Sequence, residues 1–136
     1  MRTLIDTDVL LDVALGRTKF LRASAAVLQW AESEPGQAAV AWHSLSNISY
    51  LLRPDARPFI RDLLDFVEIP PTGTDAARQT VAFRIRDFED AMQAAAALAF
   101  GASYIVTRNG THYRQSPVPP LSPAEFLALV RAGSSQ

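Results

Sequence analysis

The side chains best suited to chemistry in this 136-residue chain are carboxylates that follow short apolar runs. Asp6 comes directly after Thr3-Leu4-Ile5, with Asp8 and Asp12 close behind it. Asp87 and Asp90 stand three apart at a helix start and so share a face. Thr107-Arg108-Asn109 follows the β-branched run that ends at Val106, His43-Ser44 follows a run of small residues, and Asn47 comes one turn later. If these groups converge on one edge of a sheet, the carboxylates repel unless a cation neutralises them. Oxygen ligands select hard ions such as Mg²⁺ or Mn²⁺. The plainer alternative is that Asp6 caps one helix and that Asp87 or Asp90 decorates the positive end of another. Zinc does not suit the chain, which has two histidines, His43 and His112, and no cysteine. No Gly-x-Ser-x-Gly elbow and no glycine-rich phosphate loop is present.

The elements that must position these residues alternate. Short strands are predicted near residues 2–5, 38–41, 67–69, 103–106 and 118–120. Helices are predicted from Thr7 or Asp8, as caps, to Gly16; from Thr18 to Glu32; from His43-Ser44 to Pro54; from Arg57-Pro58 to Val67; from a Thr74 or Asp75 cap through Ile85; and from Asp87 to Ala99. The last begins with Ser122 as cap, Pro123 at the first position and Glu125 at the third, and ends near Arg131. This order predicts an α/β fold with a mainly parallel sheet of four or five strands covered on both faces. Ligands of such sheets bind beyond the carboxyl ends of the strands, where the strand order reverses. One domain is expected over residues 1–132, with a frayed tail at 133–136.

Composition narrows the class. Hydrophobic residues make up 49% and charged residues 20%, which excludes a disordered chain. The net charge of −1 gives no reason for non-specific adhesion to nucleic acid, although a local basic rim remains open. Twelve of the thirteen basic residues are arginine, which suits bidentate phosphate contacts or reflects compositional bias. Asp6 interrupts any signal-peptide core, and the alanine-rich run from Ala91 to Phe100 is too short to span a bilayer. The expectation is a cytoplasmic protein with no membrane partner.

Four segments carry a family resemblance. Leu4-Ile5-Asp6-Thr7-Asp8-Val9-Leu10-Leu11-Asp12 resembles the opening of a PIN domain, with Asp8 where that motif generally has Asn. Asp87-Phe88-Glu89-Asp90-Ala91 resembles its central acidic motif, Tyr104-Ile105-Val106-Thr107-Arg108-Asn109 its last strand and polar turn, and Pro119-Pro120-Leu121-Ser122-Pro123 its closing segment. The resemblance implies a Rossmann-like three-layer α/β/α sandwich and Mg²⁺- or Mn²⁺-dependent ribonuclease chemistry. It extends to the toxin half of VapBC-type toxin–antitoxin pairs, in which a small antitoxin occupies the active-site groove and the toxin often dimerises.

Carried over by residue, Asp6 matches the first metal-binding acid and Asp90 the acid of the central helix, with Asp87 as a supplementary catalytic acid. The Glu expected early in the helix after the second strand falls at Asn47. The closing acid falls at Asn109 or at the Asp of an Asp-Phe pair, which is His112-Tyr113 here. Two of four acidic positions therefore lack their acid, which predicts a weakened metal site. Thr7, Asp8, Asn47, Asn109 and His112 are the supporting set. Arg108, Arg114, Arg17 and Lys19 are candidates for a phosphate-binding rim, with solvated surface as the alternative for each. Trp42, Tyr50 and Phe59 are candidates for base stacking, core packing or a dimer interface, and a homodimer is expected. The function implied is RNA phosphodiester hydrolysis by a toxin with an antitoxin partner; single-stranded DNA as substrate stays open. The alternative is a non-catalytic nucleic-acid-binding or regulatory domain of the same fold. If Asp6 and Asp90 share one ion, their carboxyl groups cannot lie more than about 12 Å apart.

Overall fold

The computed structural model describes residues 1–134; within them every strand is short, and helices make every crossover but the last, which is a loop with one 3-10 turn. In chain order the elements are β1 (Thr3–Ile5), α1 (Thr7–Ala14), α2 (Leu21–Ser33), β2 (Ala38–Ala39), α3 (Trp42–Leu52), α4 (Ala56–Leu63), α5 (Thr74–Ala82), α6 (Phe88–Phe100), β3 (Tyr104–Val106), β4 (Pro120–Leu121) and α7 (Pro123–Ser134). A 3-10 turn at Arg53–Asp55 joins α3 to α4, and another at Gly110–Tyr113 follows β3. The sheet order is β2-β1-β3-β4, and all pairs are parallel. The result is the expected α/β/α sandwich with four strands. The strand expected at 67–69 is a single bridge between Glu68 and Ala39, because Pro70-Pro71 ends the pairing at once. The last strand falls at Pro120–Leu121, slightly later than expected.

Alternation along the strands divides the core in two. Ile5 and Val106 face a layer built from α1, α2, α3, α4 and α7, with Val9, Val27, Ile48 and Phe126 buried there. Trp30 of α2 meets Phe126 of α7 edge-on, with ring centroids 4.8 Å apart. Leu4 and Ile105 face the other layer, where the alanine stripe Ala91, Ala94 and Ala97 lets α6 approach the sheet closely. Gly101 ends α6 in the left-handed conformation at φ +74°, which glycine adopts without strain.

The helix caps depart from expectation in two places. α1 is capped by Asp6, whose side chain accepts from Thr7 N at 2.7 Å, as the plainer reading of that carboxylate has it and in place of Thr7 or Asp8. The cap position of α5 is Gly73, without the side-chain bond expected of Thr74 or Asp75. At α7 the expected capping box forms: Glu125 N donates to Ser122 Oγ and Ser122 N to Glu125 Oε1. That helix runs on to Ser134, past the expected end near Arg131; residues 135–136 of the expected tail lie outside the described residues.

The two carboxylates on one face of α1, Asp8 and Asp12, are four apart and hold the turn behind β3. Asp8 Oδ2 accepts from Thr107 Oγ1 at 3.3 Å, Arg108 N at 3.0 Å and Asn109 Nδ2 at 3.0 Å. Asp12 is fully buried and takes the Arg108 guanidinium in a fork, Nε to Oδ2 at 2.7 Å and Nη2 to Oδ1 at 3.0 Å. Ser24 Oγ of α2 donates to the same carboxylate at 2.9 Å, and Arg17 lies 3.5 Å from it. The guanidinium also stacks on the Phe20 ring at 3.8 Å. Removing one member of such a buried pair strands the other charge. Asp12→Ala is expected to lower the unfolding free energy by about 3–5 kcal/mol. Arg108→Lys should also destabilise, because lysine cannot reproduce the two-pronged contact. Denaturant midpoints check both, and midpoints equal to the parent's would refute the role given to the pair.

Candidate active site

In strand order β2-β1-β3-β4 the chain leaves β1 to one side first and to the other later. The carboxyl ends of β1 and β3 therefore flank the point where the order reverses. Asp6 ends β1 there, and its N–H donates to Val106 O at 2.9 Å across the gap. Asp6 is only 6% exposed. Its Oδ1 accepts from Thr7 N, and its Oδ2 accepts from the Tyr113 hydroxyl at 2.9 Å. The same hydroxyl lies 3.2 Å from Asp90 Oδ1. Asp6 and Asp90 thus meet on one phenolic oxygen, well inside the separation a shared ion would allow. A phenol carries one hydrogen, so it cannot serve both carboxylates fully.

The electrostatics follow from this crowding. Burial, and then the neighbouring Asp8 charge, pushes the Asp6 carboxyl up to about 7, against the pull of its hydrogen bonds. Asp8 is also raised, by burial first, with the Arg108 N–H opposing. Asp90 is raised by burial and by Asp87. The Tyr113 hydroxyl, buried beside Asp6 and Asp90, is held far above the usual phenol range and stays a donor.

A second polar group closes the floor of the cleft. Thr7 Oγ1 and Ser44 Oγ are 2.7 Å apart, and Gln93 Nε2 donates to both at 2.9 Å. The same amide nitrogen lies 3.3 Å from His43 Nε2. Burial lowers His43 despite nearby Glu89 and Asp90, so its ring is neutral at neutral pH. This network ties α1, α3 and α6 together behind Asp6. Two buried side-chain oxygens have no hydrogen-bond partner among the described residues, Asp8 Oδ1 and Gln93 Oε1.

The remaining expected residues divide between two clefts. The first, about 590 Å³, is lined by Asp6, Asp90, Asn47, Arg17, Tyr50 and Asn109 among others. Asn47 faces it from α3, where the expected acid would stand. Asp87 caps α6, its Oδ1 accepting from Asp90 N at 3.0 Å, and lines the neighbouring cleft in place of the first. His112 is half exposed, and its Nδ1 lies 3.2 Å from Asp90 Oδ2. Arg114 lines a neighbouring cleft. Arg108, expected on the rim, is committed to Asp12 and Phe20. Lys19 lies over the Phe20 ring at 5.4 Å and lines neither cleft. Phe59 packs against the core, whereas Trp42 and Tyr50 are 70% and 68% exposed. Among the described residues no three histidine, aspartate or glutamate side chains form a ready-made metal cage. No helix there is long and apolar enough to cross a membrane.

Three participants carry little advance signal. Tyr113 stands where the resemblance leads one to look for Phe, and nothing in the sequence says that its hydroxyl reaches two carboxylates. Gln93 interrupts a run of alanines, and an amide on a buried helix face must find partners. Glu89 lines the first cleft beside Asp90, as the Phe-Glu-Asp run allows.

The raised Asp6 carboxyl sets a pH dependence. Between its unfolded value near 4 and its folded value near 7, the folded chain holds a proton that the unfolded chain has lost. Without divalent ions, stability should therefore fall as pH rises across that window, by up to a few kcal/mol, and level off above it. Asp6→Asn should flatten most of the slope and be the more stable protein at pH 8. Thermal melts in EDTA check this, and parallel curves would contradict it.

The fold has parallels among known proteins. A chain of VapBC2 from Rickettsia felis, in a structure bound to a DNA fragment from its promoter, superposes with TM-score 0.67 at 16% identity, over 90% of this chain and 98% of that one. A chain of a toxin–antitoxin complex from Klebsiella pneumoniae superposes with TM-score 0.66 at 23% identity, over 89% and 97%. At these identities the likeness speaks for the fold. No curated protein matches the sequence. The PIN domain family model matches residues 2–111, well over half of the chain. With its parallel sheet, its acid after β1 and its acidic start to α6, this chain belongs to the PIN domain family.

Proposed function

We propose that this chain is a divalent-metal-dependent endoribonuclease, the toxin of a toxin–antitoxin pair. The observation that carries this reading is the meeting of Asp6 and Asp90 on the single hydrogen of Tyr113, beside the unpartnered Asp8 Oδ1. Negative charge there exceeds what the neighbouring donors offset, and oxygen donors in that arrangement suit Mg²⁺ or Mn²⁺. Mg²⁺ commonly uses one or two carboxylates and completes its sphere with water and substrate phosphate, so the lack of a full protein cage is compatible. Asp6 and Asp90 would hold the ion, with Asn47 lining the same cleft. When bound, it would polarise a phosphoryl oxygen and acidify a water.

The chain's own residues supply the rest. Thr7 N–H orients the Asp6 carboxylate, and Asp87 fixes the first turn of α6 on which Asp90 stands. Asn109 steadies Asp8. His112, bonded to Asp90 through Nδ1, leaves Nε2 to take or give a proton. Arg17, at the margin of the cleft, is the phosphate contact. The likeness to chains of toxin–antitoxin complexes supports an antitoxin as partner, and a cytoplasmic location belongs to the same proposal. A second reading, a non-catalytic nucleic-acid-binding or regulatory domain, is favoured by Asn47 and His112 standing where carboxylates are expected.

Divalent binding and cleavage test the proposal together. The parent should bind Mn²⁺ better than Mg²⁺, since Mn²⁺ accepts nitrogen and amide oxygen more readily. Asn47→Glu should tighten Mn²⁺ about tenfold or more, a gain of ~1.4 kcal/mol. Asp6→Asn should abolish both binding and RNA cleavage. Equal affinities by calorimetry in parent and variants would mean that the carboxylates are not the ligands. RNA binding without cleavage in Mn²⁺ would favour the second reading.

Assembly is part of the same proposal. Exposed Trp42 and Tyr50 offer large side chains for pairing with a second copy, and two-fold pairing is the commonest assembly. Light scattering at high micromolar concentration should report a homodimer, and a monomer would remove it.

A further inference from the structure

The second cleft, about 520 Å³, opens on the other side of Asp90 and is lined by Arg84, Arg86, Arg114 and His112. It has the opposite character to the first. None of these arginines has an ion-pair partner among the described residues, although Asp87 and Asp90 border the same cleft. Each arginine adjoins a buried neighbour. Ile85 is buried between Arg84 and Arg86 in the segment after α5, and both arginines are exposed. Tyr113 is buried at the end of its 3-10 turn and leaves Arg114 exposed directly after it. The tyrosine that joins Asp6 to Asp90 thus directly precedes one arginine of the basic cleft.

Three unpaired, exposed guanidinium groups beside a carboxylate pair are suited to a polyanion that crosses Asp90. We propose that Arg84, Arg86 and Arg114 bind the backbone phosphates of single-stranded RNA on one side of the bond to be cut. This deepens the nuclease reading and rests on it. The protein's net charge is −1, so attraction of RNA has to come from a local concentration of arginine such as this one. Arg108, forked onto Asp12, does not contribute.

The test uses the parent protein in EDTA, where RNA stays intact, with a labelled ten-nucleotide single-stranded RNA as probe. Affinity is measured over a range of salt. The variant Arg84→Ala/Arg86→Ala/Arg114→Ala should bind at least tenfold more weakly at low salt. Its slope of log affinity against log salt should be shallower by about 2, the value for three lost contacts to a single strand. Arg57→Ala/Arg61→Ala, which removes two arginines of α4 that line neither cleft, should match the parent. Melting curves verify that the variants fold, and Arg86→Glu should bind worse than Arg86→Ala. If the parent binds RNA and the triple variant binds equally with the same slope, the subsite is wrong and the nuclease reading stands. If the parent binds no RNA at any salt, the nuclease reading itself fails. If oligo-glutamate binds as tightly as RNA with the same arginine dependence, the cleft serves an acidic protein partner and the proposal is overturned.

Discussion

The grip of α1 on the turn behind β3 is the interaction on which the rest of this structure depends. Asp8 and Asp12, one helical turn apart, reach residues about a hundred positions later in the chain and hold Thr107, Arg108 and Asn109. The grip brings the ends of β1 and β3 together, and the crevice between those ends contains Asp6. The cost is a concentration of carboxylates at one end of a small sheet. Asp12 meets that cost with the Arg108 fork and the Ser24 hydroxyl. Asp8 meets only part of it, with one oxygen shared by three donors and the other left without a partner.

Asp6 therefore sits next to a carboxylate that structural demands hold in place, and its chemistry follows from that neighbour. A group chosen only to cap a helix would not need burial beside Asp8, nor a phenol shared with Asp90. Capping and chemistry are nevertheless not alternatives here, since Asp6 does cap α1 and Asp87 does cap α6. The caps orient the very carboxylates, or the helix turns bearing them, that line the cleft. Tyr113 is the least expected member, because a neutral donor occupies the space between two acids where two positive charges would be better matched.

Much of this was legible in the sequence because the relevant signals are local. An apolar triplet ending in Asp, an Asp-x-x-Asp helix start, a β-branched run before Thr-Arg-Asn and the Ser-Pro-x-Glu cap each define an element and its end. The order of those elements implies a parallel sheet and hence a common edge. What stayed hidden depends on pairing across the chain. Arg108 follows a strand and looks available, but only the fold reveals that Asp12 lies within reach. Gln93 reads as an accident in an alanine run until three helices close around it. The strand near residue 68 fails because two prolines limit its length, and local β-branched content could not report the missing partner bonds.

The short edges of the sheet have a consequence for how this protein can associate. Ile105 N donates to Pro119 O and Thr107 N donates to Leu121 O, so Pro120 between them faces the open side of β4. Proline has no N–H to offer a further strand there. On the opposite side, Glu68 covers β2 through two backbone bonds, and Pro70-Pro71 follows immediately. Neither margin can be lengthened by a strand from another chain, which also removes the usual template for edge-to-edge aggregation. A second copy or a regulatory protein must therefore recognise the helices and their side chains, and its selectivity will be written in surface shape and charge, with no contribution from a continued backbone ladder.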